Sequence, residues 1–185
     1  MNISFSTLKT KNNYPADEVI SALQKEIRKG NFENAVFYTL EMLESGDRFI
    51  TKFWERMLVV VVEDVSDNNC ITQINSLKDT YFNLEDAKPW DKDMQAVKAV
   101  KILCDAKKDR IVSEIYDYMK IQRKQGYKIK IPEYAIDMHT KKGKELKLNY
   151  LDFLERSSKL ENEIENKNKI YYEKLLELAK KGIFP

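Results

Sequence analysis

Apolar side chains recur every three or four residues along most of this chain, and this spacing limits the fold more than any other feature. One such run comprises Val19, Ile20, Leu23 and Ile27. It is followed by Gly30, as expected for an amphipathic helix that stops at a residue able to adopt a left-handed conformation. Five glycines and four prolines in 185 residues are too few for the frequent turns of an all-β chain. The sequence therefore predicts an all-α fold.

The same spacing predicts further helices, which follow one another through short connections and pack as antiparallel hairpins. Their apolar positions span residues 32–43, 48–64, 71–81, 94–103 and 111–119. The segment from Val59 to Val62 would by itself favour a strand, because all four residues are β-branched. It ends a longer run with helical spacing, so we expect one buried helix there.

The C-terminal region is predicted as one long helix from about Tyr150 to Lys181. Ile164, Tyr171 and Leu178 fall seven residues apart there, which is typical of a helix that packs on another helix or forms a short coiled coil. The predicted architecture is a bundle of antiparallel helical hairpins with about six to eight helices. We expect a flexible N-terminal arm over residues 1–13, a helical domain over 14–149, and a C-terminal helix over 150–185 that packs on the domain or on a neighbouring subunit.

The sequence lacks the patterns of membrane-spanning, secreted and ATP-hydrolysing proteins. No stretch approaches about 18 uncharged apolar residues, no secretory leader opens the chain, and the phosphate-binding pattern G-x-x-x-x-G-K-[ST] is absent. Cys70 and Cys104 are isolated and the only histidine is His139, so neither a metal nor a cofactor is expected. Two buried thiols fit a reducing compartment, and we expect a cytoplasmic protein that can associate with the nucleoid.

Positive charge is concentrated in residues 120–150, which carry nine lysines and arginines against three acidic residues. Basic side chains interleaved with Tyr127 and Tyr134 are typical of a segment that follows a phosphate backbone. The candidate DNA- or partner-binding residues are Arg123, Lys124, Lys128, Lys130, Lys141, Lys142, Lys144 and Lys147. A solvated face of a lysine-rich chain explains the same pattern, and this alternative stays open.

Two groups of residues have side chains suited to acid–base chemistry. Glu63 and Asp64 end the most apolar helix, where paired carboxylates could have separated pKa values. A helix C-terminus disfavours negative charge unless a basic partner lies nearby, so the alternative is that the pair holds a neighbouring loop or helix. Asp137 could orient His139, yet the sequence places no serine or cysteine nucleophile beside them. No catalytic residue is therefore assigned.

Several segments carry the motifs of one known family. The helical ones are Ile20–Arg28, Ala35–Leu43, Trp54–Leu58, Val62–Val65 and Ala96–Lys108, with Leu160–Asn162 further on. The most specific one is Ile131–Lys144, with the sequence IPEYAIDMHTKKGK. Together these segments resemble the C-terminal domain of the replication-associated recombination protein A family, also called MgsA-type AAA+ ATPases. The resemblance covers residues 16–163, and the nucleotide-binding motifs of the family's ATPase half are absent from this sequence.

The resemblance implies an all-α, collar-like domain that forms a homo-oligomer, in the family a tetramer, and acts in DNA replication, recombination and repair. It implies no catalytic residue in this domain. It implies structural roles for the residues that match the family's motifs, which are Glu63, Asp64, Pro132, Tyr134, Asp137, His139, Thr140 and Gly143. The sequence departs from the family's pattern at Ser66–Asn69, Asp109 and Lys147–Asn149.

Three hypotheses of function result. The leading one is a non-enzymatic oligomerisation and interaction module of DNA replication, recombination or repair, which contacts DNA through residues 120–147. The second is a regulatory adaptor of a separately encoded AAA+ ATPase. The protein partners considered are such an ATPase or a replication-fork protein. The third is a small enzyme that uses His139 with Asp137, or with Glu63 and Asp64, and it predicts a ligand-sized pocket around these groups.

Overall fold

The computed structural model describes residues 4–84 and 88–184. These residues form nine α-helices and short turns, so the predicted all-α fold is confirmed. The chain divides into two compact units between Gln125 and Gly126, called here the N-terminal unit and the C-terminal unit. This boundary differs from the one expected near residue 149, because Gly126, with a φ of 87°, ends the last helix of the N-terminal unit.

Six of these helices lie in the described part of the N-terminal unit, and they follow the predicted order. They are α1 (Ala16–Lys29), α2 (Phe32–Leu43), α3 (Asp47–Glu63), α4 (Asn69–Asn83), α5 (Pro89–Asp105) and α6 (Ile111–Lys124). The first five bury one continuous core, whose largest fully buried side chains include Trp54, Phe53, Leu23, Ile27, Met42, Met57, Ile74 and Leu103. No described helix is long and apolar enough to cross a membrane.

The first helix shows why the sequence pattern was informative. Its buried side chains include Val19, Ile20, Leu23 and Ile27, in which the intervals from 20 to 23 and from 23 to 27 are three and four residues, so one face of α1 enters the core. Acidic residues occupy its first turn and basic residues its last turn, which complements the helix dipole. Gly30 then adopts a φ of 74°, the left-handed conformation that ends many helices.

The four β-branched residues at the end of α3 are helical, as predicted. Val60 and Val61 are buried, whereas Val59 and Val62 are 44% and 48% exposed. A strand would alternate buried and exposed positions with a period of two. The observed pairing of adjacent buried residues instead follows the helical period and continues the buried face that begins at Phe49.

The described part of the predicted N-terminal arm, residues 4–13, packs on the helices and is not a loose segment; residues 1–3 lie outside the described range. The ring of Phe5 lies 5.1 Å from that of Phe49. Asn12 donates through its backbone N and its Nδ2 to the carboxylate of Glu41, at 3.0 and 2.7 Å. The polar composition of the arm predicts a loose segment, but these two contacts join residues 44 and 29 positions apart, and such distant partners leave no local pattern.

Short elements build the C-terminal unit. They are a 3₁₀ turn (Glu133–Ala135), α7 (Lys141–Glu145), α8 (Tyr150–Asp152), a π-helical turn (Phe153–Ser157) and α9 (Ile170–Lys180). Asn149 caps α8, because its side chain accepts hydrogen bonds from Leu151 and Asp152 while Asp152 accepts one from the backbone N of Asn149. Such a reciprocal cap satisfies backbone donors that an α-helix start leaves without partners.

The prediction of one long C-terminal helix is wrong. Residues 158–169 form no regular helix, and Asn162 and Asn166 adopt φ values of 53° and 56°. Asparagine enters the left-handed region more readily than most residues, and two such residues four apart interrupt a helix. The predicted helix is therefore realised only at its two ends, as α8 with the π-helical turn over residues 150–157 and as α9.

Candidate functional site

The carboxylates of Glu63 and Asp64 lie in a cluster of ion pairs at the C-terminus of α3. The side chain of Asp64 is fully buried, and it is flanked by Arg28 of α1. Nε of Arg28 lies 2.8 Å from Oδ1 of Asp64, and Nη2 lies 3.2 Å from Oδ2. Because the guanidinium presents two donors to two acceptors, it compensates the buried negative charge with directional hydrogen bonds.

A second arginine joins the cluster from the loop between α5 and α6. Nη2 of Arg110 donates to Oε1 of Glu63 at 3.0 Å, and its Nε lies 3.4 Å from Oδ1 of Asp64. The two carboxylates and the two arginines thus form a neutral network. Acidic residues at a helix C-terminus are unfavourable unless a basic partner lies nearby, and the two arginines are such partners.

The amide of Gln24 completes the network from α1. Its Nε2 donates to Glu63 at 2.8 Å and to Asp64 at 3.2 Å. Its Oε1 accepts from Nη1 of Arg56 at 3.1 Å. The side chains around the pair therefore come from α1, α3 and the loop before α6, and they tie these three segments together.

Backbone contacts fix the same loop. The backbone N of Asp109 donates to the carbonyl of Asp64 at 3.1 Å, and that of Ser66 donates to Lys107 at 3.1 Å. Nζ of Lys108 donates to three carbonyls at the end of α5, and burial lowers the pKa of this amine. The carboxylate cluster and these contacts together set where α6 begins.

The sixth helix leaves this anchored loop with no buried residue. Oδ1 of Asp109, which lies one residue before the N-cap Arg110, accepts from the backbone N of Ile111 at 2.9 Å. Six large apolar side chains of α6 are between 48% and 60% exposed, and they are Ile111, Val112, Ile115, Tyr116, Tyr118 and Ile121. A helix of this composition normally buries one face, so α6 presents an unusual apolar surface.

The segment around His139 forms a compact turn. The backbone N of His139 donates to Oδ1 of Asp137 at 3.0 Å, and Nδ1 lies 3.2 Å from Oδ2. The hydrogen bonds from His139 lower the pKa of Asp137. The His139 side chain remains 64% exposed, with its ring edge-on to Phe153 at 5.5 Å. The pair predicted from sequence is thus brought together, on the surface of the C-terminal unit.

Thr140 and Gly143 explain the rest of this motif. Thr140 caps α7, because its Oγ1 accepts from the backbone N of Gly143 at 3.0 Å while donating to the carbonyl of Asp137 at 2.9 Å. A Cβ added at Gly143 would lie 1.7 Å from that carbonyl oxygen, so only glycine fits. Pro132 precedes the 3₁₀ turn that contains Tyr134, whose side chain is 66% exposed.

The basic candidates are distributed over both units. Arg123 and Lys124 end α6 in the N-terminal unit, and the other six lie in the C-terminal unit. Lys141, Lys142 and Lys144 share the single turn of α7 and are exposed. None of the eight forms an ion pair with another residue among those the structure describes, and their charges are therefore uncompensated there. These residues are Arg123, Lys124, Lys128, Lys130, Lys141, Lys142, Lys144 and Lys147.

Sequence reasoning singled out the carboxylate pair and the His139 segment, and it missed the exposure of α6. The signal was present: Ile111, Ile115 and Tyr118 lie along one line of the helix, whereas Tyr116 and Ile121 lie on other faces. Apolar residues on several faces of a helix cannot all be covered by one neighbour. Among the described residues, no group of three or more His, Cys, Asp or Glu side chains is arranged to hold a metal ion.

No protein-family model matches the chain, and no curated protein matches it. The family resemblance therefore depends on the quoted motifs alone.

Proposed function

We propose that this chain is a non-enzymatic, self-associating interaction module of DNA replication, recombination or repair. The observation that carries the self-association is α6, a helix of 14 residues of which none is buried and six are large and apolar. Contiguous exposed apolar surface marks sites of protein contact. The cost of exposing it is offset when a partner covers it, because burial is worth about 25 cal/mol per Å².

The arrangement of the carboxylates favours this proposal over an enzyme. Both oxygens of Asp64 already accept hydrogen bonds from Arg28 or Gln24, and its side chain has no contact with solvent. Such a pair is suited to anchoring the base of α6. His139 is exposed, and its contacts are Asp137 and the edge-on ring of Phe153, which is the arrangement of a surface turn.

The association with DNA rests on the family resemblance and on the charge of the C-terminal unit. Lys141, Lys142 and Lys144 project from one short helix, and neighbouring cations on a surface attract the phosphate backbone by releasing counterions. We infer that α7 and the basic residues before it in the C-terminal unit, Lys128 and Lys130, contact DNA. They would not read its sequence, because phosphate contacts carry no base information.

The solution mass of the purified chain, measured by light scattering over a concentration series, tests the self-association. We expect a mass above that of the monomer, rising with concentration. Ile115→Glu in α6 should return the mass to that of the monomer, whereas Ile164→Glu, at a residue 77% exposed in the C-terminal unit, should leave it unchanged. A monomer at every concentration would contradict self-association and favour the adaptor of a separately encoded ATPase.

A salt titration tests the DNA contact. We expect affinity for a labelled duplex or single strand to fall steeply as ionic strength rises, and the triple change of Lys141, Lys142 and Lys144 to Glu to abolish it. A matched triple change at Lys25, Lys29 and Lys98, which are exposed in the N-terminal unit, should have a much smaller effect. Binding that is absent, or insensitive to salt, would refute this part of the proposal.

A further inference from the structure

We infer that α6 pairs with α6 of a second copy of this chain, in antiparallel orientation, about a two-fold axis that passes between Tyr116 and Asp117. The inference rests on the proposed self-association and specifies its contact surface. It assigns the line of Ile111, Ile115 and Tyr118 to one partner and predicts which side chains meet.

The apolar side chains form a seam of the right length. Ile111, Ile115 and Tyr118 follow at intervals of four and three residues, which places them on one line of the helix. Val112 and Met119 flank this line on one side. A helix of 14 residues is about 21 Å long, so two copies side by side can bury the whole seam.

The charges of α6 select the orientation. The first half carries Glu114 and Asp117, whereas the second half carries Lys120, Arg123 and Lys124. A parallel pair would set acidic half beside acidic half and basic beside basic. An antiparallel pair sets opposite charges within about one Debye length, roughly 8 Å at physiological salt, and it also aligns the two helix dipoles favourably.

The same surface on both copies then forms a closed contact. A two-fold, self-complementary interface ends with two chains, whereas a head-to-tail contact would continue into a filament. In the antiparallel seam Ile115 faces Tyr118 of the second copy, and Ile111 faces Gln122 of the second copy. A residue near one end of α6 therefore faces a residue near the other end of α6 in the second copy, and it does not face the same residue of that copy.

Cysteine cross-linking tests this register. Residues 111 and 122 are 11 positions apart, so in the antiparallel pair two copies of residue 111 are separated by about 16 Å along the helix, beyond the roughly 7 Å between Cα atoms that a disulfide spans. We expect Ile111→Cys and Gln122→Cys to form no covalent dimer alone under mild oxidation and to form one when mixed. The wild-type chain, with its buried Cys70 and Cys104, is the control for background oxidation.

Each outcome of the cross-linking and of the mass measurement supports or overturns the inference. Self-linking of Ile111→Cys alone would show a parallel pair and overturn the inference. If the wild-type mass exceeds that of the monomer but the mixture gives no covalent dimer, self-association stands and α6 is not its surface. A monomeric wild-type chain would overturn both.

A charge exchange gives a second readout that does not need cysteines. One variant carries Glu114→Lys and Asp117→Lys, and the other carries Lys120→Glu, Arg123→Glu and Lys124→Glu. Each makes α6 uniformly charged, so each alone should lose most of its self-association, while circular dichroism should show that both remain helical. Mixing them should restore a dimer with one copy of each, and failure of the mixture to associate would contradict the pairing.

Discussion

Arg28 contacts the fully buried carboxylate of Asp64 with two nitrogens, Nε at 2.8 Å from Oδ1 and Nη2 at 3.2 Å from Oδ2. The two residues are separated by 36 positions in the sequence and join α1 to the end of α3. Since Arg110 approaches the same carboxylates from the loop before α6, the stability of the bundle and the position of the proposed contact helix depend on one network.

Removing Arg28 should therefore destabilise the protein strongly. Arg28→Ala leaves the buried charge of Asp64 with only partial compensation, and loss of one partner of a buried ion pair costs about 3 kcal/mol. Urea unfolding at neutral pH, followed by circular dichroism, measures this change in the free energy of unfolding.

The exposed ion pair of Lys52 and Glu55 provides the control. These side chains are 39% and 58% exposed, so Lys52→Ala should cost less than about 1 kcal/mol. Equal losses in the two variants would mean that the Asp64 network contributes no more than a surface pair.

The helices of the N-terminal unit could be predicted because their signals are local. The spacing of Val19, Leu23 and Ile27 and the stop at Gly30 all lie within one short segment. The prediction of one long C-terminal helix is wrong because it relied on the spacing of apolar residues alone. That spacing is helical, but Asn162 and Asn166 adopt left-handed conformations, which the spacing does not reveal. The two asparagines therefore decide the local structure, and the helical spacing of the apolar residues does not.

The candidate site was predictable only in part. The sequence marked Glu63 and Asp64 as a pair in need of a basic partner, but it could not identify Arg28 and Arg110, which lie 36 and 46 positions from Asp64 in opposite directions. The His139 turn is local, since Asp137, Thr140 and Gly143 contact one another within seven residues, and so its motif could be recognised. The exposure of α6 depends on what packs beside it, which no local pattern records.

The N-terminal segment should depend on the ionisation of Glu41. Burial by itself raises the pKa of this carboxyl, but hydrogen bonds from Thr10 and Asn12 outweigh it and lower the pKa below its ordinary value of 4.5. The folded state therefore keeps Glu41 ionised at a pH where the unfolded chain binds a proton. Its contribution to stability is complete above pH 4.5 and is lost as the pH falls further.

Glu41→Gln should accordingly reduce the free energy of unfolding at neutral pH by about 1.5 kcal/mol, the usual value of a hydrogen bond to a charged group. The difference from the wild type should shrink when the same urea titration is repeated in acid. Glu44→Gln, which removes only the exposed pair with Lys11, is the control. A difference that is independent of pH would show that the charge of Glu41 is not involved.

Gly143 should tolerate no side chain. A Cβ there would lie 1.7 Å from the carbonyl oxygen of Asp137, so Gly143→Ala must displace the turn that holds His139. We expect the histidine signals in a proton NMR spectrum to shift and limited proteolysis to cut the C-terminal unit faster. Lys142→Ala, on the exposed side of the same helix, should change neither, and an unshifted histidine in Gly143→Ala would contradict the described turn.

Tyr81 should make the protein sensitive to alkali. Burial raises the pKa of its phenol from 10 to about 12, with Asp93 and Asp47 adding to the effect, and the ring packs 5.4 Å from Trp54. Between pH 10 and 12 the unfolded chain has released this proton while the folded chain still holds it, so the free energy of unfolding falls as the pH rises. Tyr81→Phe should lose less stability over this interval than the wild type, whereas Tyr134→Phe, at a residue 66% exposed, should behave as the wild type. Ultraviolet absorbance of tyrosinate gives the direct check, because the absorbance change that Tyr81 contributes near pH 12 should disappear in Tyr81→Phe and persist in Tyr134→Phe.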